Sequence, residues 1–166
     1  MFNDSKRIIM DKVHYISPQA LSFELIQHVF EEKQTLALSE EAIKRIQKSR
    51  EYLNRKINES DEPLYGITTG FGSLHKKSIS NSQLSQLQQN LLVSHATGVG
   101  TELEADVVRM MLFLKAHALS LGHSGVQLPT VERIVDMFNK DMLPVVYDRG
   151  SLGASGDLAP LAHLFL

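Results

Sequence analysis

The sequence lacks cysteine altogether and carries little surplus charge of either sign. Without cysteine there is no disulfide, no thiol nucleophile and no cysteine-ligated metal site, and such a composition fits a reducing compartment. The 17 lysines and arginines and the 19 aspartates and glutamates leave a formal net charge of −2. We therefore expect neither nucleic acid nor an anionic membrane as a partner, because both bind through clustered positive charge.

Long apolar runs are also missing. The first residues, MFNDSKRIIMDK, are polar and mixed in charge, unlike a signal peptide. The longest apolar stretch, MMLFLKAHALSLG, is interrupted by Lys115 and His117 and is too short to span a bilayer. The 166 residues are 43% hydrophobic and 22% charged, which is typical of globular proteins. We therefore expect a soluble, cytoplasmic protein.

Several familiar catalytic and binding motifs are absent. The sequence has no HExxH pair, no GxxxxGK[ST] phosphate loop and no GxSxG nucleophile elbow. The segment GFGSLH, residues 70–75, fails the GxGxxG dinucleotide pattern at its last position. These absences predict that the protein has no metal site and no diffusible cofactor.

The spacing of apolar residues predicts a mostly helical chain. The pattern adds one short strand, Thr35–Leu38, and a glycine-rich loop, LYGITTGFG, over Leu64–Gly72. Helices are predicted from Ser17 to about Lys33, from Ser39 to before Pro63, from Ser80 to near Gly98, from Leu103 to Leu121, after Pro129, and from near Asp157.

Local signals specify several of these helices further. Pro18 suits the first turn of the first helix, Ser39 caps the second, and Ser80 with Gln83 forms a capping box at the third. The helix over Leu103–Leu121 is apolar on nearly every side, so we expect it to be surrounded by other elements. The fifth helix has one apolar face, which predicts four buried residues: Val131, Ile134, Val135 and Phe138.

The segment GSLGASGDLAP, residues 150–160, contains the most specific chemistry. Short clusters of glycine and serine are usually turns. In Ala154-Ser155-Gly156, however, the Gly156 nitrogen can attack the Ala154 carbonyl and close a five-membered ring. Loss of water from that closure and from the Ser155 side chain gives a methylideneimidazolone. Glycine permits the bend, serine supplies the β-hydroxyl, alanine is small, and a helix starting near Asp157 favours negative charge on the ring.

Four segments, in this order and spacing, resemble the aromatic amino acid ammonia-lyases, most closely the histidine-specific members. They are LYGITTGFG, LQQNLLVSHATGVG, LGHSGVQLPTVERIVDMFNKDMLPVV and the signature GSLGASGDLAPLAH, and the resemblance extends from about His14 to the end. It implies a mainly α fold, the front portion of an ammonia-lyase/aspartase-like long-helix bundle with a few short strands. Residues 1–166 are then expected to be the N-terminal portion of the lyase domain, truncated just after the Ala-Ser-Gly signature.

The resemblance also implies roles for individual residues. Ala154, Ser155 and Gly156 become the electrophilic prosthetic group, Tyr65 becomes the base that removes the β-proton, and His95 reads the substrate side chain. The implied reaction converts the amino acid L-histidine to trans-urocanate and ammonia, in a homotetramer when the protein is full length. We expect the 166 residues alone to be inactive, because the apolar helix lacks neighbours and the signature loop lacks the packing that bends it.

Departures from the family pattern keep alternatives open. Thr68 stands where histidine-specific members commonly have asparagine and phenylalanine-specific ones often have threonine. Ser94-His95 matches the histidine-specific pair, which some tyrosine-acting members share, while Lys115 and His117 replace a frequent arginine and asparagine. The first alternative is a phenylalanine or tyrosine ammonia-lyase, or an aminomutase.

A second alternative comes from a different class, a non-catalytic helical fragment or interaction module. Outside the family pattern, Tyr65 is typical of a packed aromatic with a solvated hydroxyl, and His95 of a partly buried histidine with a hydrogen-bond partner. The other histidines are expected to be structural or solvated: His14, His28, His75, His117, His123 and His163.

Overall fold

The computed structural model describes residues 12–59, 62–70, 83–153 and 156–166, and that part of the chain is mainly helical, as predicted. Its helices are α1 (Phe23–Glu31), α2 (Glu40–Glu59), α3 (Leu84–His95), α4 (Ala105–Ser120), α5 (Leu128–Asn139) and α6 (Ala159–Leu164). Its strands are β1 (Val13–Ile16), β2 (Thr35–Leu38), β3 (Val99–Glu102), β4 (Tyr147–Arg149), β5 (Leu152–Gly153) and β6 (Gly156–Asp157). Within these ranges no helix is both long and apolar enough to cross a membrane.

The strands form three small pairs. β1 and β2 are parallel and are joined by α1, whereas β3 pairs with β4 and β5 with β6 in antiparallel fashion. The side chain of Asn139 extends the first pair, because its amide oxygen accepts from the Leu36 N–H at 2.7 Å and its amide nitrogen donates to the Leu36 carbonyl at 2.9 Å. The end of α5 is thereby fixed to β2.

The core is built around α4. Leu112 and Phe113 are fully buried, and the Phe113 ring meets Phe30 of α1 edge-on at 5.9 Å between centroids. Phe30 makes a second edge-on contact with Phe138 of α5, also at 5.9 Å. Val107 and Leu114 of the same helix are 46% and 42% exposed, so α4 is covered on one side only by the described residues.

Several local predictions are confirmed. The strand Thr35–Leu38 is present, and the four apolar residues predicted for the fifth helix are all buried. Ser39 caps α2, because its hydroxyl oxygen accepts from the Ala42 N–H at 3.2 Å. The segment around Leu64 is a turn over its described residues.

Two predicted helix starts are wrong, and a third lies outside the described residues. β1 continues to Ile16, and the first helix begins only at Phe23, where the Ser22 hydroxyl accepts from the Leu25 N–H at 3.2 Å, so Pro18 precedes the helix. The predicted start of the third helix, Ser80, falls outside the described residues, and the helix is described from Leu84, directly after Gln83. The sixth helix begins at Ala159, because Asp157 belongs to β6.

His14 and His117 make the stability of the fold depend on pH. Burial lowers the pKa of His14, which packs its ring 5.8 Å from that of Phe113, and the charge of His117 lowers it further. Burial also lowers the pKa of His117. In the unfolded chain both residues titrate near pH ~6.5. The unfolded state therefore binds more protons below that pH, and the stability present above it is lost as the pH falls towards the folded pKa values.

We accordingly expect the urea midpoint of the protein to fall between pH 7.5 and pH 5.5. The same measurement on the double variant His14→Gln/His117→Gln should show a smaller fall, because neither side chain then takes up a proton. An equal fall of the urea midpoint in the two proteins would contradict the assignment of the pH dependence to His14 and His117. Equilibrium urea unfolding followed by circular dichroism provides the measurement.

Candidate active site

The turn that carries Tyr65 is held by its own two threonines. The Thr68 hydroxyl oxygen accepts from the Leu64 N–H at 2.9 Å, and the Thr69 hydroxyl oxygen accepts from the Gly66 N–H at 3.2 Å. Gly66 has a φ of 69°, a left-handed conformation that glycine adopts without strain. The Tyr65 side chain consequently points outward and is 63% exposed.

Thr69 should contribute measurably to the stability of this turn. It is fully buried, and its hydroxyl also donates to the Gly70 carbonyl at 3.0 Å. We expect Thr69→Val to lower the free energy of unfolding by about 1–3 kcal/mol, because the Gly66 N–H would lose its acceptor. The exposed Thr101 provides the matched control, since Thr101→Val should change that free energy by less than about 0.5 kcal/mol. Urea unfolding measures both, and equal stabilities of the two variants would contradict this role.

A glutamine of α3 attaches the Tyr65 turn to the helix that carries His95. The Gln88 amide nitrogen donates to the carbonyls of Gly66 and Ile67 at 3.1 and 3.3 Å. His95 follows Gln88 by seven residues, about two turns of an α-helix, so both side chains lie on the same side of α3. One side chain therefore connects the turn of Tyr65 to the helix of His95.

The ring of His95 has a defined tautomer. Its Nδ1 lies 2.7 Å from the Leu91 carbonyl oxygen, which only accepts hydrogen bonds, so Nδ1 must carry a proton. The Ser94 hydroxyl donates to the same carbonyl at 3.0 Å. In the neutral ring Nε2 is then the acceptor nitrogen. His95 is half-buried.

The glycine-rich signature contains the antiparallel strand pair β5–β6. Gly153 pairs with Gly156 in the β5–β6 register, and Ala154 and Ser155, which lie between them, fall outside the described residues. Gly156 has a φ of 87°, and a Cβ at this position would meet no atom of the described residues within 4 Å. The backbone conformation at Gly156 therefore favours glycine.

Asp157 closes the base of this strand pair. Its carboxylate oxygen Oδ1 accepts from the Ala159 N–H at 3.0 Å, at the start of α6. The carboxylate also lies so close to the Gly150 Cα that a Cβ there would overlap it. Gly150 and Asp157 thus bring the two ends of the signature together.

His163 connects α6 to the segment after His95. Its Nε2 accepts from the Gly98 N–H at 2.8 Å, and its ring meets the Tyr147 ring edge-on at 5.5 Å between centroids. The sequence predicts His163 only as structural or solvated. No local pattern pairs it with Gly98, which is 65 residues earlier in the chain.

Two clefts accompany these residues. One of about 440 Å³ lies between α2 and the Tyr65 turn, and Tyr52 and Tyr65 both line it. A larger one, of about 650 Å³, lies between α1, α4 and α5, where Arg109 forms ion pairs with Asp106 and Asp141. The described residues contain no group of three or more potential metal ligands.

The sequence profile of the aromatic amino acid lyases matches residues 21–166. The chain belongs to the aromatic amino acid lyase family. It is similar to a histidine ammonia-lyase of Deinococcus radiodurans, with 51% identity over 146 residues that cover 88% of this chain and 28% of that protein.

Solved structures share the fold. The histidine ammonia-lyase of Trypanosoma cruzi is 35% identical with a TM-score of 0.76, over 92% of this chain and 29% of that one. A tyrosine aminomutase of Streptomyces globisporus is 36% identical with a TM-score of 0.80, over 90% of this chain and 28% of that one. The chain thus spans less than a third of the length of these relatives.

Proposed function

We propose that these residues form the part of a histidine ammonia-lyase that supplies the base, the substrate-reading histidine and the precursor of the electrophile. The similarity to the Deinococcus radiodurans enzyme, at 51% identity, supports histidine as the substrate. The observation that carries the proposal is the attachment of the Tyr65 turn to the His95 helix by Gln88. The proposed function includes the deamination of L-histidine to trans-urocanate and ammonia, in a cytoplasmic homotetramer when the protein is full length.

The signature residues fit a self-formed methylideneimidazolone. Gly153 and Gly156, which flank Ala154 and Ser155 in the sequence, pair with each other, and among the described residues no atom lies within 4 Å of a Cβ built on the left-handed Gly156. Ring closure joins the Gly156 nitrogen to the Ala154 carbonyl carbon with loss of one water, and Ser155 loses a second. Once formed, the group would supply an electrophile for the substrate amine, and the amine would thereby become a better leaving group.

Two side chains of the chain then act on the substrate. The threonine-held turn carries the Tyr65 side chain on its exposed side, where the side-chain oxygen can act as the base for the β-proton. His95 has its Nδ1 proton on the Leu91 carbonyl, so Nε2 can accept a hydrogen bond from the N–H of a substrate imidazole. This donor–acceptor pairing discriminates against a phenyl side chain, which offers no N–H.

A tyrosine lyase or aminomutase is the second candidate. The tyrosine aminomutase structure is as similar in sequence to this chain as the Trypanosoma cruzi lyase structure, at 36% and 35% identity. Thr68 stands where histidine-specific members commonly have asparagine. Its hydroxyl accepts a hydrogen bond from the Leu64 N–H within the same turn, so Thr68 has a structural role here. A phenolic substrate can also donate to His95 Nε2, which keeps this candidate chemically sound.

A direct substrate comparison tests the proposal. A full-length lyase that carries these 166 residues is incubated separately with L-histidine, L-tyrosine and L-phenylalanine. We expect urocanate from histidine, with a kcat/KM at least tenfold above those for the other two amino acids. Deamination or β-amino acid formation from tyrosine alone would establish the second candidate, and conversion of phenylalanine alone would contradict both.

A further inference from the structure

The hydrogen bond between Gly98 and His163 joins two parts of the site. Gly98 lies three residues after His95, and His163 lies on α6, six residues after Asp157. A short turn connects Gly98 to His95, because the Thr97 N–H donates to the His95 carbonyl at 2.9 Å. The bond therefore links the main chain that follows His95 to the helix that follows the electrophile precursor.

The geometry leaves this histidine little freedom. A backbone N–H only donates, so the His163 Nε2 must carry no proton, and the neutral ring has its proton on Nδ1. The edge-on contact with Tyr147 fixes the ring plane, and Tyr147 itself pairs with Glu102 across β3 and β4. β3 begins at Val99, directly after Gly98, so the ring sits at a junction of α6, β4 and the segment after α3.

Gly98 shows how closely the ring approaches the main chain. A Cβ at Gly98 would lie 2.8 Å from the His163 Nε2 and 2.9 Å from its Cδ2, closer than atoms in contact allow. Any larger residue at this position would push the ring away. The absence of a side chain at Gly98 lets the His163 ring come close enough to accept the Gly98 N–H. The hydrogen bond therefore depends on both residues.

We propose that His163 is a positioning residue, which sets the place of His95 relative to the electrophile and thereby the efficiency of histidine turnover. The proposal rests on the proposed function, in which His95 reads the substrate imidazole. His163 acts through the Gly98 main chain and touches neither substrate nor electrophile. Displacement of a recognition group by about 1 Å lowers rates on the order of 10²-fold, so a loosened His95 has a measurable consequence.

The test compares variants in a full-length lyase that carries these residues. We expect His163→Ala to lower kcat/KM for L-histidine by about 10- to 100-fold per mole of prosthetic group, which is quantified by its near-ultraviolet absorbance. His163→Gln should restore much of that loss, because an amide oxygen can accept the Gly98 N–H. Gly98→Ala should reproduce the loss with the histidine still present. His28→Ala, on the exposed side of α1, is the matched histidine control and should leave kcat/KM unchanged.

The outcomes separate this inference from the proposed function. If the unsubstituted enzyme does not convert histidine, the proposed function is wrong and this inference with it. If the enzyme does so and His163→Ala keeps the same kcat/KM per prosthetic group, His163 is merely structural and the inference is overturned, even where the thermal midpoint falls. If His163→Ala does not fold, Gly98→Ala decides in the same way, by a lowered or an unchanged kcat/KM.

Discussion

Replacing Ser155 with alanine in a full-length lyase that carries these residues is expected to abolish histidine turnover. Without a β-hydroxyl, residue 155 cannot lose water to give the exocyclic methylidene, so the electrophile is never completed. The near-ultraviolet absorbance of the prosthetic group should disappear together with the activity. Urocanate formation and the absorbance difference against the unsubstituted enzyme measure the two effects.

Ser151 provides the control for this experiment. It is an exposed serine of the same glycine-rich segment, four residues before Ser155. Ser151→Ala should retain both turnover and the absorbance, which shows that loss of a hydroxyl elsewhere in the loop has no such effect. Normal activity of the Ser155→Ala enzyme would contradict the proposed electrophile mechanism.

Replacing Tyr65 with phenylalanine is expected to lower kcat by a factor on the order of 10²–10⁴, as is typical when a positioned acid–base group is removed. The aromatic ring stays in place, and the threonine bonds that hold the turn involve only main chain and threonine side chains. The prosthetic-group absorbance should therefore survive. Steady-state kinetics with L-histidine, normalised to that absorbance, measures the effect.

Tyr52 is the matched control for the Tyr65 variant. It lines the same cleft from α2 and is 54% exposed. Its contacts with the cations of Arg55 and Lys56 involve the ring face, which phenylalanine retains. Tyr52→Phe should leave kcat unchanged. An unchanged kcat in Tyr65→Phe as well would reduce Tyr65 to a packing residue.

The helices could be predicted from the sequence because their burial follows the helical period. Val131, Ile134, Val135 and Phe138 face the core at helical spacing, and all four are buried in the structure. Apart from β2, the short strands carry no such signal. The four residues of β3 are exposed, so it has no alternation to detect, and its partner β4 begins 45 residues after it ends.

The start of the first helix illustrates a tertiary effect. Pro18 and the apolar residues from Leu21 onward favour a helix beginning near Ser17. The parallel pairing of β1 with β2 fixes Ile16 opposite Leu38, and the chain must then leave the sheet before it can turn into α1. This pairing depends on residues more than 20 positions apart, so a local pattern could not anticipate it.

The candidate site was predictable only where a motif names the residue. Tyr65, His95 and the Ala154-Ser155-Gly156 signature follow from the family resemblance. The side chains that connect them do so through main-chain groups: Gln88 binds the carbonyls of Gly66 and Ile67, and His163 binds the Gly98 N–H. Bonds to main-chain atoms leave almost no trace in residue identity, so only the fold shows them.

The most direct test of the account is the mass of the peptide that contains residues 154–156, taken from a full-length lyase that turns over histidine. The account predicts a peptide lighter than its sequence by about two waters, one from ring closure and one from Ser155. In the Ser155→Ala protein residue 155 has no hydroxyl to lose, so its peptide should lack the second loss of water. An unmodified peptide from an enzyme that still forms urocanate would contradict the central claim that this chain makes its own electrophile.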